Sequence, residues 1–275
     1  MKIEAKKRFG QNFLKDSAVL NKIIQSMPEG NRKVVEIGPG LGDLTQKLLE
    51  KKDVIAFEID RDLCRLLKEK FAQEIEEGRL TLICADVLDH WKRHLIDEEY
   101  DLVANLPYYV ATNIVLKALQ DANCQNVLVM LQKEVADKFS AEPGEKEFSS
   151  LAVLAKSAGE AKRLFVVKPT SFSPPPKVDS AVLLVKKRDN LDDKEFMEFL
   201  KRAFKQPRKT LFKNLSQHYP KELLTHIFES LGLASTIRPH EAATSIYHRL
   251  YEMLKEKIDG RTTSKPTEQP KQQTK

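Results

Sequence analysis

Asn105-Leu106-Pro107-Tyr108 puts a carboxamide, a backbone carbonyl ahead of a proline and an aromatic ring into four consecutive positions. The proline keeps the backbone before it extended. An amine conjugated to a heteroaromatic ring, such as adenine N6, is a poor nucleophile. Two acceptors aimed at its hydrogens, the Asn105 side-chain oxygen and the Leu106 carbonyl, favour a tetrahedral nitrogen whose lone pair faces an incoming methyl group. No general base or metal is required, because the nitrogen becomes far more acidic once alkylated. Tyr108 offers a stacking face for a flipped-out base, worth roughly 1–3 kcal/mol. Phe172, just ahead of Pro174-Pro175-Pro176, is the candidate second wall of the base pocket. An ordinary Asn-x-Pro turn explains Asn105 and Pro107 but not the ordered elements that precede them.

Those elements describe a nucleoside-bearing cofactor. Gly38-Pro39-Gly40-Leu41-Gly42 follows an apolar run and opens a helix, where glycines let a ligand approach the backbone. Nicotinamide-binding domains use a similar turn, but their third glycine falls where this chain has Asp43. A pyrophosphate there would face Glu36 and Asp43, whereas the sulfonium of S-adenosylmethionine gains from nearby carboxylates. The methyl donor is therefore favoured over a dinucleotide. Glu58 ends the next apolar run and is placed to accept the ribose hydroxyls. Asp86 ends the third, where it can take the adenine amine, with Ile59 and Val87 on either side of the ring.

Positioning these residues requires strands and helices in alternation. Val34–Ile37, Val54–Ile59, Leu80–Cys84, Tyr100–Ala104 and Val127–Leu131 read as strands. Leu41–Glu50, Asp62–Ile75 and Thr112–Leu119 read as the helices between them. The pattern predicts an α/β fold with a parallel, doubly wound Rossmann-like sheet. Arg163–Val167 and Ser180–Val185 add two strands around the proline-rich loop, which cannot join a ladder. Beyond residue 190 only helical periodicity remains, as in Phe196, Phe199, Leu200, Ala203 and Phe204. Expected domains are thus 1–190 for cofactor and chemistry, 191–258 as a helical RNA-binding domain of four or five helices, and 259–275 as a disordered tail.

With 41% hydrophobic and 31% charged residues in 275, the chain reads as a soluble globular protein. Its formal charge of +6 favours a polyanionic partner. Lysines and arginines cluster near the N-terminus (Lys7 and Arg8 among them) and again from Lys201 to Lys213. Lys7, Arg8, Lys177, Arg208 and Lys209 are the candidate RNA contacts. Cys64, Cys84 and Cys124 are odd in number and form no CxxC pair, so they read as buried thiols in a reducing compartment. No apolar run is long enough to cross a bilayer, and a cytoplasmic monomer is expected. His90 and His94, four apart, have no third ligand at a matching distance, so no metal is expected. Ser171 and Ser180 have no histidine or acid placed for nucleophilic work.

These motifs make the chain resemble the ribosomal RNA adenine N6,N6-dimethyltransferases, the kasugamycin-sensitivity enzymes of bacteria and their relatives. The resemblance runs from Lys7 to about Leu254 and includes Arg8-Phe9-Gly10-Gln11-Asn12-Phe13-Leu14, Gln132-Lys133-Glu134-Val135-Ala136 and Phe172-Ser173-Pro174-Pro175-Pro176-Lys177-Val178-Asp179-Ser180. It implies a class I methyltransferase fold, with donor contacts at Asn12, Leu14, Gly38, Glu58, Asp86 and Asn105; Gly40 of the glycine turn is a further candidate for the cofactor. It also implies transfer of four methyl groups, two to each of two adjacent adenosines near the 3′ end of small-subunit ribosomal RNA, in an assembling 30S particle, with S-adenosylhomocysteine as product. Relatives usually follow the tetrapeptide with Asn-Ile-Ser; here it is Tyr109-Val110-Ala111. Where they carry Gln-Arg-Arg-Lys-Thr, this chain has Gln206-Pro207-Arg208-Lys209-Thr210, and Pro207 is expected to open a helix. Two alternatives stay open: a macrolide-resistance type of methyltransferase acting on large-subunit RNA, and a mainly non-catalytic ribosome-assembly factor.

Overall fold

The computed structural model describes Lys6 and residues 11–262, with the backbone alone from 258 onward. Lys7 and Arg8 lie outside these residues, as does the expected tail from 263. The described residues form two compact units. One holds the residues up to 142 together with 147–192; the other holds 143–146 and the chain from 193. The segment 143–146 belongs to the second unit through contacts such as the Gly144 amide on the His240 carbonyl (2.7 Å), which apolar periodicity does not signal.

The strands of the first unit are β1 (Phe13–Leu14), β2 (Lys33–Ile37), β3 (Val54–Phe57), β4 (Leu80–Ile83), β5 (Tyr100–Asn105), β6 (Cys124–Gln132), β7 (Gly159–Val167), β8 (Phe172–Ser173) and β9 (Ser180–Lys187). Its helices are α1 (Ser17–Gln25), α2 (Asp43–Leu49), α3 (Arg61–Lys70), α4 (Ala72–Glu76), α5 (Val87–His90), α6 (Ala111–Gln120), α7 (Lys133–Ser140) and α8 (Ser150–Ala158). Seven strands form one sheet in the order β4-β3-β2-β5-β6-β9-β7. Val34, Val35, Leu102, Val103 and Val127 are fully buried, which is why these strands read as unbroken apolar runs and not as alternating ones. The order reverses beside β2, so the carboxyl ends of β2 and β5 open a crevice at a topological switch point.

The sheet is not parallel throughout. β9 runs antiparallel to both β6 and β7 because it returns directly from the proline-rich loop and inserts between them. β1 and β8 form a separate antiparallel pair, Phe13 opposite Ser173 and Leu14 opposite Phe172. Asp16 secures this strap: its carboxylate caps α1 at the Ala18 and Val19 amides and accepts from the Ser171 hydroxyl (2.9 Å). Ser171, set aside as a nucleophile, is thus a structural link.

The cysteine expectation also needs correcting. Cys64 and Cys84 are joined as a disulfide, with Cα atoms 6.1 Å apart, and Cys84 is exposed; Cys124 alone is a free, buried thiol. The β3–α3–β4 crossover brings together two residues whose spacing carries no signature, so cysteine usage does not report a reducing compartment.

The second unit contains α9 (Lys194–Ala203), α10 (Leu211–Leu215), α11 (Lys221–Ser230) and α12 (Thr244–Thr262). Asp193 caps α9 at the Phe196 amide (2.9 Å), and Phe196, Phe199, Leu200 and Ala203 turn one buried face. Pro207 does not open a helix. It lies in a turn closed by Asn214, which bonds the backbone of Gln206 in both directions, and α10 starts only after the Thr210 cap. Arg208 and Lys209 are exposed on that turn. The backbone of α12 continues to Thr262, past the expected domain end at 258, because helical hydrogen bonding does not need apolar side chains to extend a further turn.

Candidate active site

β2 ends in a backbone that only glycine adopts readily. Gly38, Gly40 and Gly42 have φ of 70°, 61° and 78°. A Cβ on Gly42 would lie 2.5 Å from the Phe71 ring, and one on Gly40 would lie 3.0 Å from Phe13. The turn is therefore packed by Leu67 of α3, by Phe71 just beyond it and by Phe13 of β1.

Around it lies an open cleft. Asn12, Leu14, Gly38, Gly40, Glu58, Ile59, Asp86, Val87, Asn105, Leu106 and Tyr108 all line it. Phe172 does not. It is 5% exposed and packs in the hydrophobic core, opposite Leu14 on the strap. Lys177 is exposed on the loop that follows.

Glu58 is buried at the end of β3 and binds the two backbone segments that frame the cleft. One oxygen accepts from the Gly40 amide (3.2 Å) and the other from the Asp60 amide (2.9 Å). Desolvation raises its pKa, against the pull of these two amides. Asp86 caps α5 at the Leu88 amide (2.9 Å). Asp60, which sequence reading passed over, is buried below Glu58 and accepts from Lys6 (2.7 Å) and Gln11 (3.1 Å). Burial works to raise its pKa, but the Lys6 and Gln11 bonds hold it below the usual range. The N-terminal segment is thereby tied to the acid-bearing edge.

The chemistry-bearing end is equally constrained. Asn105 Nδ2 donates to the Asn12 carbonyl (3.2 Å), and Oδ1 has no hydrogen bond among the described residues. The Leu106 amide donates to the Met130 carbonyl (3.0 Å), holding the tetrapeptide against β6. The Tyr108 hydroxyl meets the Ser180 hydroxyl at 2.6 Å. Tyr109 is 60% exposed at the cleft mouth, and Val110 starts α6 with no side-chain cap. His94 bonds Asp121 (2.9 Å), and the His90 ring packs on Phe57. Among the described residues no cluster of three His, Cys, Asp or Glu could hold a metal. No helix among them is long and apolar enough to cross a membrane.

Two buried carboxyls face this cleft with no ion pair on either among the described residues: Glu58, and Glu36, which accepts from Thr45 Oγ1 (2.6 Å). Both are hydrogen-bond acceptors held out of water, and a cationic ligand entering the cleft favours their ionised forms, so S-adenosylmethionine fits. Burial pushes the Glu36 carboxyl up to about 8, with Thr45 pulling it back and Glu58 adding to the rise. A folded-state pKa above the unfolded value means the folded protein holds the proton more tightly. The resulting stability is present in full below about pH 4.5 and is lost as pH rises through about 8, at about 1.4 kcal/mol per unit of separation. Thermal melts from pH 5 to 9 are expected to show this fall in the free protein. Glu36→Gln should flatten it, and a slope unchanged in that variant would place the titration elsewhere.

The sequence matches the ribosomal RNA adenine dimethylase family over residues 2–256. It is 56% identical to Ribosomal RNA small subunit methyltransferase A of Sulfurimonas denitrificans over 259 residues, covering 94% of this chain and 97% of the relative. It is 50% identical to the protein of the same name from Aliarcobacter butzleri, covering 92% and 97%. Among solved structures, a dimethyladenosine transferase from Plasmodium falciparum superposes with a TM-score of 0.75 at 24% identity, covering 90% of this chain and 98% of that one. The 23S rRNA methyltransferase ErmE superposes with 0.70 at 24%, covering 89% and 100%. At such identities these two speak for a shared Rossmann-like methyltransferase fold alone. Family membership rests on the sequence matches: the chain belongs to the ribosomal RNA adenine dimethylase family.

Proposed function

We propose that this protein moves methyl groups from S-adenosylmethionine to N6 of two adjacent adenosines near the 3′ end of small-subunit ribosomal RNA, two to each. S-adenosylhomocysteine is the product, and the setting is an assembling 30S particle in the cytoplasm. The observation that carries this is the Asn105 carboxamide, anchored through Nδ2 on the Asn12 carbonyl in the same cleft as Glu58 and Asp86. When bound, the donor supplies an electrophilic methyl on a sulfonium. Glu58 accepts the ribose hydroxyls, Asp86 the adenine amine, and Ile59 and Val87 enclose the donor's ring. Asn105 Oδ1 and the Leu106 carbonyl accept from the target amine, turning its lone pair towards the methyl. Tyr108 supports the base by stacking. The small-subunit target is supported by relatives at 47–56% identity that carry the name Ribosomal RNA small subunit methyltransferase A.

The helical unit and the exposed Lys177, Arg208 and Lys209 are assigned to phosphate contacts, in a protein that acts as a monomer. Labelled donor incubated with under-methylated 30S particles should give dimethyladenosine at two adjacent sites, with little incorporation into mature particles. Raising the salt should suppress incorporation steeply. Methylation of 50S particles instead would favour the large-subunit reading, and full restoration of subunit assembly by an inactive variant would favour the assembly-factor one.

A further inference from the structure

Ser180 is fully buried at the first position of β9, yet it carries a hydroxyl where its strand neighbours Ala181, Val182 and Leu183 are apolar. A buried hydroxyl is unfavourable unless it is bonded. Its partner is the Tyr108 hydroxyl at 2.6 Å, contributed from 72 residues earlier in the chain. Ser180 cannot shift to follow Tyr108, because its backbone is paired on both sides, opposite Gln132 of β6 and Val167 of β7. Tyr108 sits on a short turn closed by the Val110 amide on the Pro107 carbonyl (3.2 Å). Tyr108 lines the cleft, and the bond from its phenol oxygen to Ser180 is the side-chain hydrogen bond recorded for it among the described residues. A tyrosine has several staggered rotamers to choose from, and a hydrogen bond at its far end favours one of them.

We infer that Ser180 is a positioning residue for methyl transfer: its hydroxyl holds the Tyr108 ring in the plane on which the target base stacks. The inference rests on the methyl-transfer reading above and adds a residue to it. Desolvation raises the Tyr108 pKa, so the phenol stays neutral and able to share this bond across the working pH range. The arrangement ties two separate sequence motifs together, since Ser180 closes the proline-rich segment that begins at Phe172 and Tyr108 closes the Asn-Leu-Pro-Tyr tetrapeptide.

The test uses the full chain with under-methylated 30S particles and compares Ser180→Ala, Tyr108→Phe, the double variant and Ser180→Thr. Each single variant breaks the same bond and should lower single-turnover transfer about three- to tenfold, the worth of one hydroxyl bond. Donor affinity by calorimetry should stay within about twofold of wild type. The double variant should be no slower than the slower single one, and Ser180→Thr should recover most of the rate. Tyr108→Phe leaves β9 untouched, so the comparison survives if Ser180→Ala folds poorly. Multiplicative losses in the double variant, a wild-type rate in either single variant, or a matching loss of donor affinity would each overturn the inference. An inactive wild-type protein would instead strike at the methyl-transfer reading itself.

Discussion

Alanine at position 105 is expected to cut single-turnover methyl transfer by about 10²–10³-fold, with donor affinity falling far less. The Asn105 amide is committed through Nδ2 to the Asn12 carbonyl, so the oxygen pole has one orientation available to it before any base arrives. An acceptor fixed in advance needs no reorganisation as charge develops on the target nitrogen, and this is where such groups have their largest effect. Alanine removes both the acceptor and the bond to the strap. Asn105→Asp separates the two roles: it keeps the shape, but a carboxylate oxygen would then face the Asn12 carbonyl, and the repulsion would turn the side chain away. Aspartate should therefore be nearly as slow as alanine despite being a stronger acceptor. Quench-flow with labelled donor at saturating concentration measures the chemical step directly. A wild-type rate in Asn105→Ala would remove the carboxamide from the mechanism.

The donor half of the cleft was legible because each of its groups sits where an apolar run stops. Glu58 and Asp86 end or follow β3 and β4, and the carboxyl ends of parallel strands are where open α/β sheets bind ligands. The glycine turn was legible for a similar local reason: only glycine tolerates three positive φ values in five residues. What escaped notice depends on contacts distant in sequence. β1 and β8 are two residues each, too short to show a period, yet their pairing brings Asn12 to Asn105. Ser180 is mute as a nucleophile but speaks through a tyrosine on another strand end. The reversal of β9 leaves no mark in its apolar run, because a strand buried on both faces reads alike in either direction. Phe172, chosen from its place before the prolines, instead fills the core under the strap, where the register sets it opposite Leu14.

Glu58→Ala should weaken S-adenosylmethionine binding by about 10²-fold while leaving the rate at saturating donor within a small factor of wild type. Two hydrogen bonds from ribose hydroxyls to an ionised group, at about 1.5 kcal/mol each, account for that loss. A second effect works in the same direction. The Glu58 oxygens also accept from Gly40 and Asp60, so alanine releases the glycine turn from the acid-bearing edge and the cleft loses its preset width. Glu58→Gln distinguishes the two contributions. Glutamine has one acceptor oxygen and presents its NH₂ to one of the two amides, so a donor meets a donor and the turn is disturbed even though side-chain volume is kept. Glutamine should thus recover little of the lost affinity. Alanine relieves the desolvation of a buried carboxyl but leaves the Gly40 and Asp60 amides without this acceptor, so stability is measured beside affinity. Calorimetric titration of donor and product, paired with thermal melts of each variant, measures both quantities. S-adenosylhomocysteine has the same ribose and should lose affinity by a similar factor. A loss confined to the sulfonium form would show instead that Glu58 acts on the charge of the donor and not on its sugar.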